Sequence, residues 1–169
     1  MVSRRTALVT PLALAVLSGS CGTTPAIVSS PLNASKESTM TTPNPIFVAE
    51  TFFSHWSADR FDQAIAMLAD DVLYDNVPFP DIVGRENVRK FHADFGLGTS
   101  FKADWKVVNI AASGDVVLNE RVDVFTHETG GTITLPVMGT ITVVDGKITV
   151  WRDYFDPGDF DRQLKLIKR

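Results

Sequence analysis

Apolar residues recur along the first part of this chain at helical spacing and along the last part in alternation, so the pattern predicts helices first and strands later. "NPIFVAETFFSHWSA" sets Ile46, Ala49, Phe53 and Trp56 three and four residues apart, one dry helix face whose start is marked by Pro45. "DRFDQAIAMLADDV" predicts a second helix, capped by Asp59, with Phe61, Ile65 and Leu68 on one side. The short "VLYDNV" is β-prone. "PFPDIVGRENVRKFHADF" reads as a Pro/Gly loop that leads into a third helix with Val88 and Phe91 inward.

From there the chain is strand after strand: "FKADWKVVNIAA", "DVVLNERVDVFTH", "TITLPVMGTITVV" and "KITVWRDYF". Gly130-Gly131 and Asp145-Gly146 fit tight hairpin turns, the second with a strong type I′ signature. "DFDRQLKLI" closes the chain as a short helix. Helices followed by antiparallel strands define an α+β domain, with the helices packed on a curved sheet.

The stretch ahead of this domain has another character. Residues 1–21 open with Arg4 and Arg5, continue through the apolar "ALVTPLALAVL" and end in small residues before Cys21, the order of an export leader. "SRRTAL" partly matches a twin-arginine signal, and "LSGSC" partly matches a lipoprotein box that would acylate Cys21 and tether the protein to a membrane. Residues 22–44, rich in Ser, Thr, Pro and Ala, read as a disordered tether, which leaves 45–169 as the folded domain. The expected location is the cell envelope or the exterior. Translation from Met40 would instead give a cytoplasmic product.

The 169 residues carry 16 basic and 20 acidic side chains, a formal charge of -4, and no dense basic run, so no nucleic-acid partner is expected. Cys21 is the single cysteine and lies outside the domain, so the domain has neither a disulfide framework nor a thiol nucleophile. His55, His92 and His127 show no ligand spacing and read as surface or rim residues, and no metal or cofactor is expected. Any chemistry must come from carboxylates, Arg, Tyr, Asn and water.

Period two puts Val117, Asn119, Arg121, Asp123 and Phe125 on one face of a strand. It also sets Asp153 between Trp151 and Phe155, where a two-sided strand would place another apolar residue. An isolated carboxylate there would be costly to desolvate. If the two faces look into one cavity, the forked donors of Arg121 can bridge Asp123 and Asp153. The plain alternative makes Arg121 and Asp123 a solvent-facing pair and gives Asp153 to a loop. Tyr74 and Asn76, also two apart, can face the same cavity with Asp75 turned away, or be a packed Tyr and a turn Asn ahead of Pro78.

"YDNVPFP", "GRENVRKF", "NERVDVF" and "DGKITVWRDYFD", in that order, closely resemble the bacterial limonene-1,2-epoxide hydrolases between about Ile46 and Leu166. The resemblance implies the curved-sheet cone shared with nuclear transport factor, ketosteroid isomerase and scytalone dehydratase. It also implies a homodimer, and opening of a small hydrophobic epoxide by water without a cofactor. Carried over by position, it makes Asp123 the general acid, Asp153 the general base, Arg121 the bridge, and Tyr74 and Asn76 the holders of the attacking water. Trp56, Val77, Phe79, Val137, Met138 and Trp151 are the expected lining of an apolar pocket. A ketosteroid-isomerase-like or cyclase-like enzyme, or a non-catalytic envelope protein that binds a hydrophobic ligand, are the alternatives on the same fold.

Overall fold

The computed structural model describes residues 43–167. The leader assigned to 1–21, with Cys21, lies outside the described residues, as does all but Pro43 and Asn44 of the tether. Helix α1 (Pro45–Ser57) starts where Asn44 Oδ1 accepts the Ile46 N–H at 3.0 Å, a side-chain cap on an otherwise unpaired donor. It buries Val48, Ala49, Phe52, Phe53 and Trp56.

The second helix departs from expectation. α2 (Phe61–Ala66) is a single short piece preceded by Arg60, and Asp59, with a positive φ, stands outside it without capping. Leu68 instead opens strand β1 (Leu68–Val77), paired with Ile148 and fully buried. Sheet pairing outweighs a weak helical preference there. After the two-residue β2 (Ile82–Val83), which pairs with β1 in place of the expected loop, α3 (Arg85–Phe95) turns Val88 and His92 inward. Phe91, expected inward, is half-exposed, and His92, expected at the surface or rim, is buried. His92 stands four positions after Val88, the spacing that returns to the same face of a helix.

Strands β3 (Phe101–Ser113), β4 (Val116–His127), β5 (Thr132–Val144) and β6 (Lys147–Tyr154) complete a six-stranded sheet in the order β2-β1-β6-β5-β4-β3. Its pairs are antiparallel except β1 with β6. Register shifts at Val107/Asn109 in β3 and Thr142/Val143 in β5 each leave an extra residue on one strand, the device that bends a sheet. Asp145 and Gly146 both have positive φ, as a type I′ turn between β5 and β6 requires. The sheet curves into the expected α+β cone, with the core between its inner face and the helices. α4 (Pro157–Ile167) covers the part of β5 that runs past β6. There Gln163 accepts the Thr134 N–H and donates to its carbonyl, at 2.8 and 3.0 Å.

Candidate active site

Alternation in β4 sends Asn119, Arg121 and Asp123 to the inner face, all three buried, while Leu118 and Glu120 go outward. Alternation in β6 does the same for Trp151 and Asp153. The side chains of Arg121, Asp123 and Asp153 keep 0%, 5% and 6% of their exposure. Arg121 Nε donates to Asp123 Oδ1 at 2.8 Å, and Nη2 donates both to Asp123 Oδ2 at 3.2 Å and to Asp153 Oδ2 at 2.6 Å. One guanidinium thus joins the two carboxylates. The solvent-facing alternative for Arg121 and Asp123 is excluded.

Each member has further support. Arg121 Nη1 donates to Asn119 Oδ1 at 2.6 Å, and its Cζ lies over the rings of Phe53 and Trp105 at 4.9 and 5.4 Å. The indole N–H of Trp151 donates to Asp153 Oδ2 at 2.8 Å, while Asp153 Oδ1 has no partner among the described residues. β1 lies beside β6 with Tyr74 next to Trp151 and Asn76 next to Asp153, so the phenol and the amide come to the same face. Asp75 turns away and accepts from Arg152 Nε at 2.6 Å.

Burial pushes the Asp123 carboxyl up; the Arg121 charge opposes this, Asp153 adds to it, and the pKa settles at about 7. Tyr74 is raised well above the usual phenol range, by burial first and then by the negative charge of Asp153. Burial would lower Arg121, but Asp153 and Asp123 outweigh it and the guanidinium stays charged. His92 is held neutral by burial, its pKa down at about 4, with Nδ1 bonded to the Val88 carbonyl at 2.9 Å.

These groups open on a cavity of about 590 Å³ whose remaining walls are largely apolar. Tyr74, Asn76, Asp123 and Asp153 line it, as do Phe79 and Val137 of the expected apolar set. Four expected lining residues do not. Met138 follows Val137 in β5, so alternation turns it to the outer face, 52% exposed; Val77 alternates away from Asn76 in the same manner. Trp56 and Trp151 are packed in the aromatic core, Trp56 against Trp105 at 4.9 Å and Trp151 parallel to His92 at 5.4 Å. The walls missed in the sequence are supplied chiefly by Phe91, Phe95, Trp105, Phe125, Leu135 and Phe155. Period two from Asp123, Val137 and Asp153 reaches Phe125, Leu135 and Phe155; nothing local marks the other three.

Fold and site together define a class: a cone-shaped α+β domain whose apolar cavity ends on two buried carboxylates joined by one arginine. Residues 43–165 match the limonene-1,2-epoxide hydrolase catalytic domain. Epoxide hydrolase EphG of Mycobacterium tuberculosis (strain ATCC 25618 / H37Rv) is 34% identical over 117 residues, 68% of this chain and 75% of the relative. The solved structure of an M. tuberculosis LEH-like epoxide hydrolase superposes with a TM-score of 0.63 at 32% identity, covering 71% of this chain and 88% of that one. An NTF2-like protein of unknown function from Burkholderia pseudomallei K96243, 15% identical with a TM-score of 0.62 over 70% of this chain and 95% of its own, shares the fold. The chain belongs to the limonene-1,2-epoxide hydrolase family, and it is an epoxide hydrolase.

Proposed function

We propose that the enzyme opens a small hydrophobic epoxide to a vicinal diol in one step, by direct attack of water. Asp153 removes a proton from the water, whose oxygen bonds to one ring carbon while that same carbon's C–O bond, on the side away from the water, breaks. Asp123 delivers its proton to the departing ring oxygen. The net transfer from Asp123 to Asp153 is reset through the coupled pair or through solvent, and two carboxylates and one water account for every atom. The observation that carries this reading is the pair of buried carboxylates on one guanidinium, with Asp123 raised to about 7 and so available as an acid near neutral pH.

Asp153 suits the base role because Oδ1 has no partner among the described residues while Oδ2 is held by Arg121 and Trp151. Tyr74 and Asn76 stand beside it on β1 and line the same cavity, which supports a role in holding the water. The apolar walls supply the affinity for a hydrophobic substrate.

The test is a single turnover in ¹⁸O water, with enzyme in excess over limonene oxide, cyclohexene oxide or a long-chain lipid epoxide. One label in the diol and none on the protein is the expected result. Label retained on an aspartate would mean a covalent ester and would overturn the one-step scheme. We also propose a homodimer through the outer sheet face, where neighbouring β4, β5 and β6 leave Leu118, Met138 and Tyr154 exposed. Light scattering on the purified chain checks it, with a monomeric mass as the contrary outcome.

A further inference from the structure

The acid/base scheme uses three members of the buried cluster and leaves a fourth, Asn119, without a role. Asn119 is buried, its Oδ1 accepts from Arg121 Nη1 at 2.6 Å, and its Nδ2 has no hydrogen-bond partner among the described residues. The amide orientation is forced, because the reverse assignment would set two donors against each other. A buried amide donor left unpaired is costly. The geometry therefore favours Oδ1 on the guanidinium over full satisfaction of the amide.

The guanidinium needs such a contact. Phe53 and Trp105 present their rings to its Cζ at 4.9 and 5.4 Å, but a ring face offers no directional partner that fixes where each N–H points. Nε is tied to Asp123, and Nη2 must serve Asp123 and Asp153 together. The lever that sets Nη2 is therefore the opposite nitrogen, Nη1. Space is also required there. Gly139 of β5 stands opposite Asn119 on one side and Asp153 on the other, and a Cβ on it would lie 3.1 Å from Nη1 and 2.5 Å from Asp153 Oδ1.

We propose that Asn119 is a positioning residue for epoxide opening: its uncharged oxygen, across from the Cβ-free Gly139, holds the Arg121 guanidinium where Nη2 reaches both carboxylates. Neutrality is the point of the choice. An aspartate at 119 would give the same acceptor but set three carboxylates around one positive charge, weakening the hold of Arg121 on Asp123. The other ionisable groups around the cluster are Asp153 from β6, Tyr74 from β1 and the neutral His92 from α3, while α1 and β3 contribute the rings of Phe53 and Trp105.

The inference rests on the proposed acid/base reading, and the test separates the two. Asn119→Leu, close in volume but without an acceptor, and Asn119→Asp are made in the full chain, with folding followed by circular dichroism. For Asn119→Leu, kcat is expected to fall roughly tenfold or more with KM within about twofold, the mark of an interaction that matters in the transition state. Asn119→Asp should recover kcat at its own optimum to within roughly fivefold, while the alkaline limb of kcat and the ¹³C titration of the Asp123 carboxyl both move to higher pH. Wild-type kcat in a folded Asn119→Leu protein, or an unmoved Asp123 titration in Asn119→Asp, overturns the proposal. If the leucine variant does not fold, the aspartate variant decides alone. A wild-type protein that opens no epoxide would count against the acid/base reading, and the carboxyl titration would still decide the role of Asn119.

Discussion

Arg121 and Asp153 stand on strands that are not neighbours, yet Nη2 of the arginine donates to Oδ2 of the aspartate at 2.6 Å across the intervening β5. The bridge passes over Gly139, where a side chain would fill the gap. A strand glycine usually weakens a sheet, and here it permits a close approach.

Gly139→Ala is expected to damage both stability and turnover. The new Cβ would sit 2.5 Å from Asp153 Oδ1 and 2.9 Å from the Arg152 carbonyl, and the second of these is backbone and cannot swing aside. Overpacking of this kind costs about 1–3 kcal/mol. Urea unfolding and kcat together check it, and an alanine protein as stable and active as wild type would show that the strand shifts freely.

Asp123→Asn and Asp153→Asn, made separately, keep the volume and remove the proposed proton donor or the proposed base. Each should lower kcat by roughly 10²-fold or more at neutral pH, the usual weight of positioned acid/base groups. Steady-state kinetics on a turned-over epoxide reads this directly. More than a tenth of the wild-type rate in either protein would end the one-step scheme.

Arg121→Gln leaves two buried carboxylates without their shared cation, a change that costs about 3–5 kcal/mol when both are ionised. The loss should be smaller at pH 5 than at pH 8, because protonating an aspartate relieves the repulsion. Chemical denaturation at the two pH values is the measurement, and equal losses at both would mean the carboxylates are not close-coupled.

Asp123 itself should give the wild-type protein a pH signature. Its folded pKa is raised from the ordinary 3.8 to about 7, so between these values the folded state binds the proton that the unfolded chain has released. Stability contributed by the neutral carboxyl is thus complete below about pH 4 and is lost as pH rises toward 7. Asp123→Asn should flatten that slope in urea unfolding measured from pH 4 to 8. The kcat of the wild type should also decline above about pH 7, as Asp123, the proposed acid, loses its proton.

What the sequence determined by itself was local and periodic. Alternation placed Arg121 with Asp123, Trp151 with Asp153 and Tyr74 with Asn76 on shared faces, and the Asp145-Gly146 signal located a hairpin, because side-chain direction in a strand depends on parity alone. Parity also explains why Val77 and Met138 could not join their neighbours in the cavity. The tertiary structure decided which face was inner, which strands met, and what filled the walls. Only the strand order brings β6 between β1 and β5 and sets Gly139 between Arg121 and Asp153. Leu68 joined β1, His92 went inside, and Trp56 and Trp151 went to the core while Trp105 reached the cavity, since burial is settled by what packs against a residue and not by its own type.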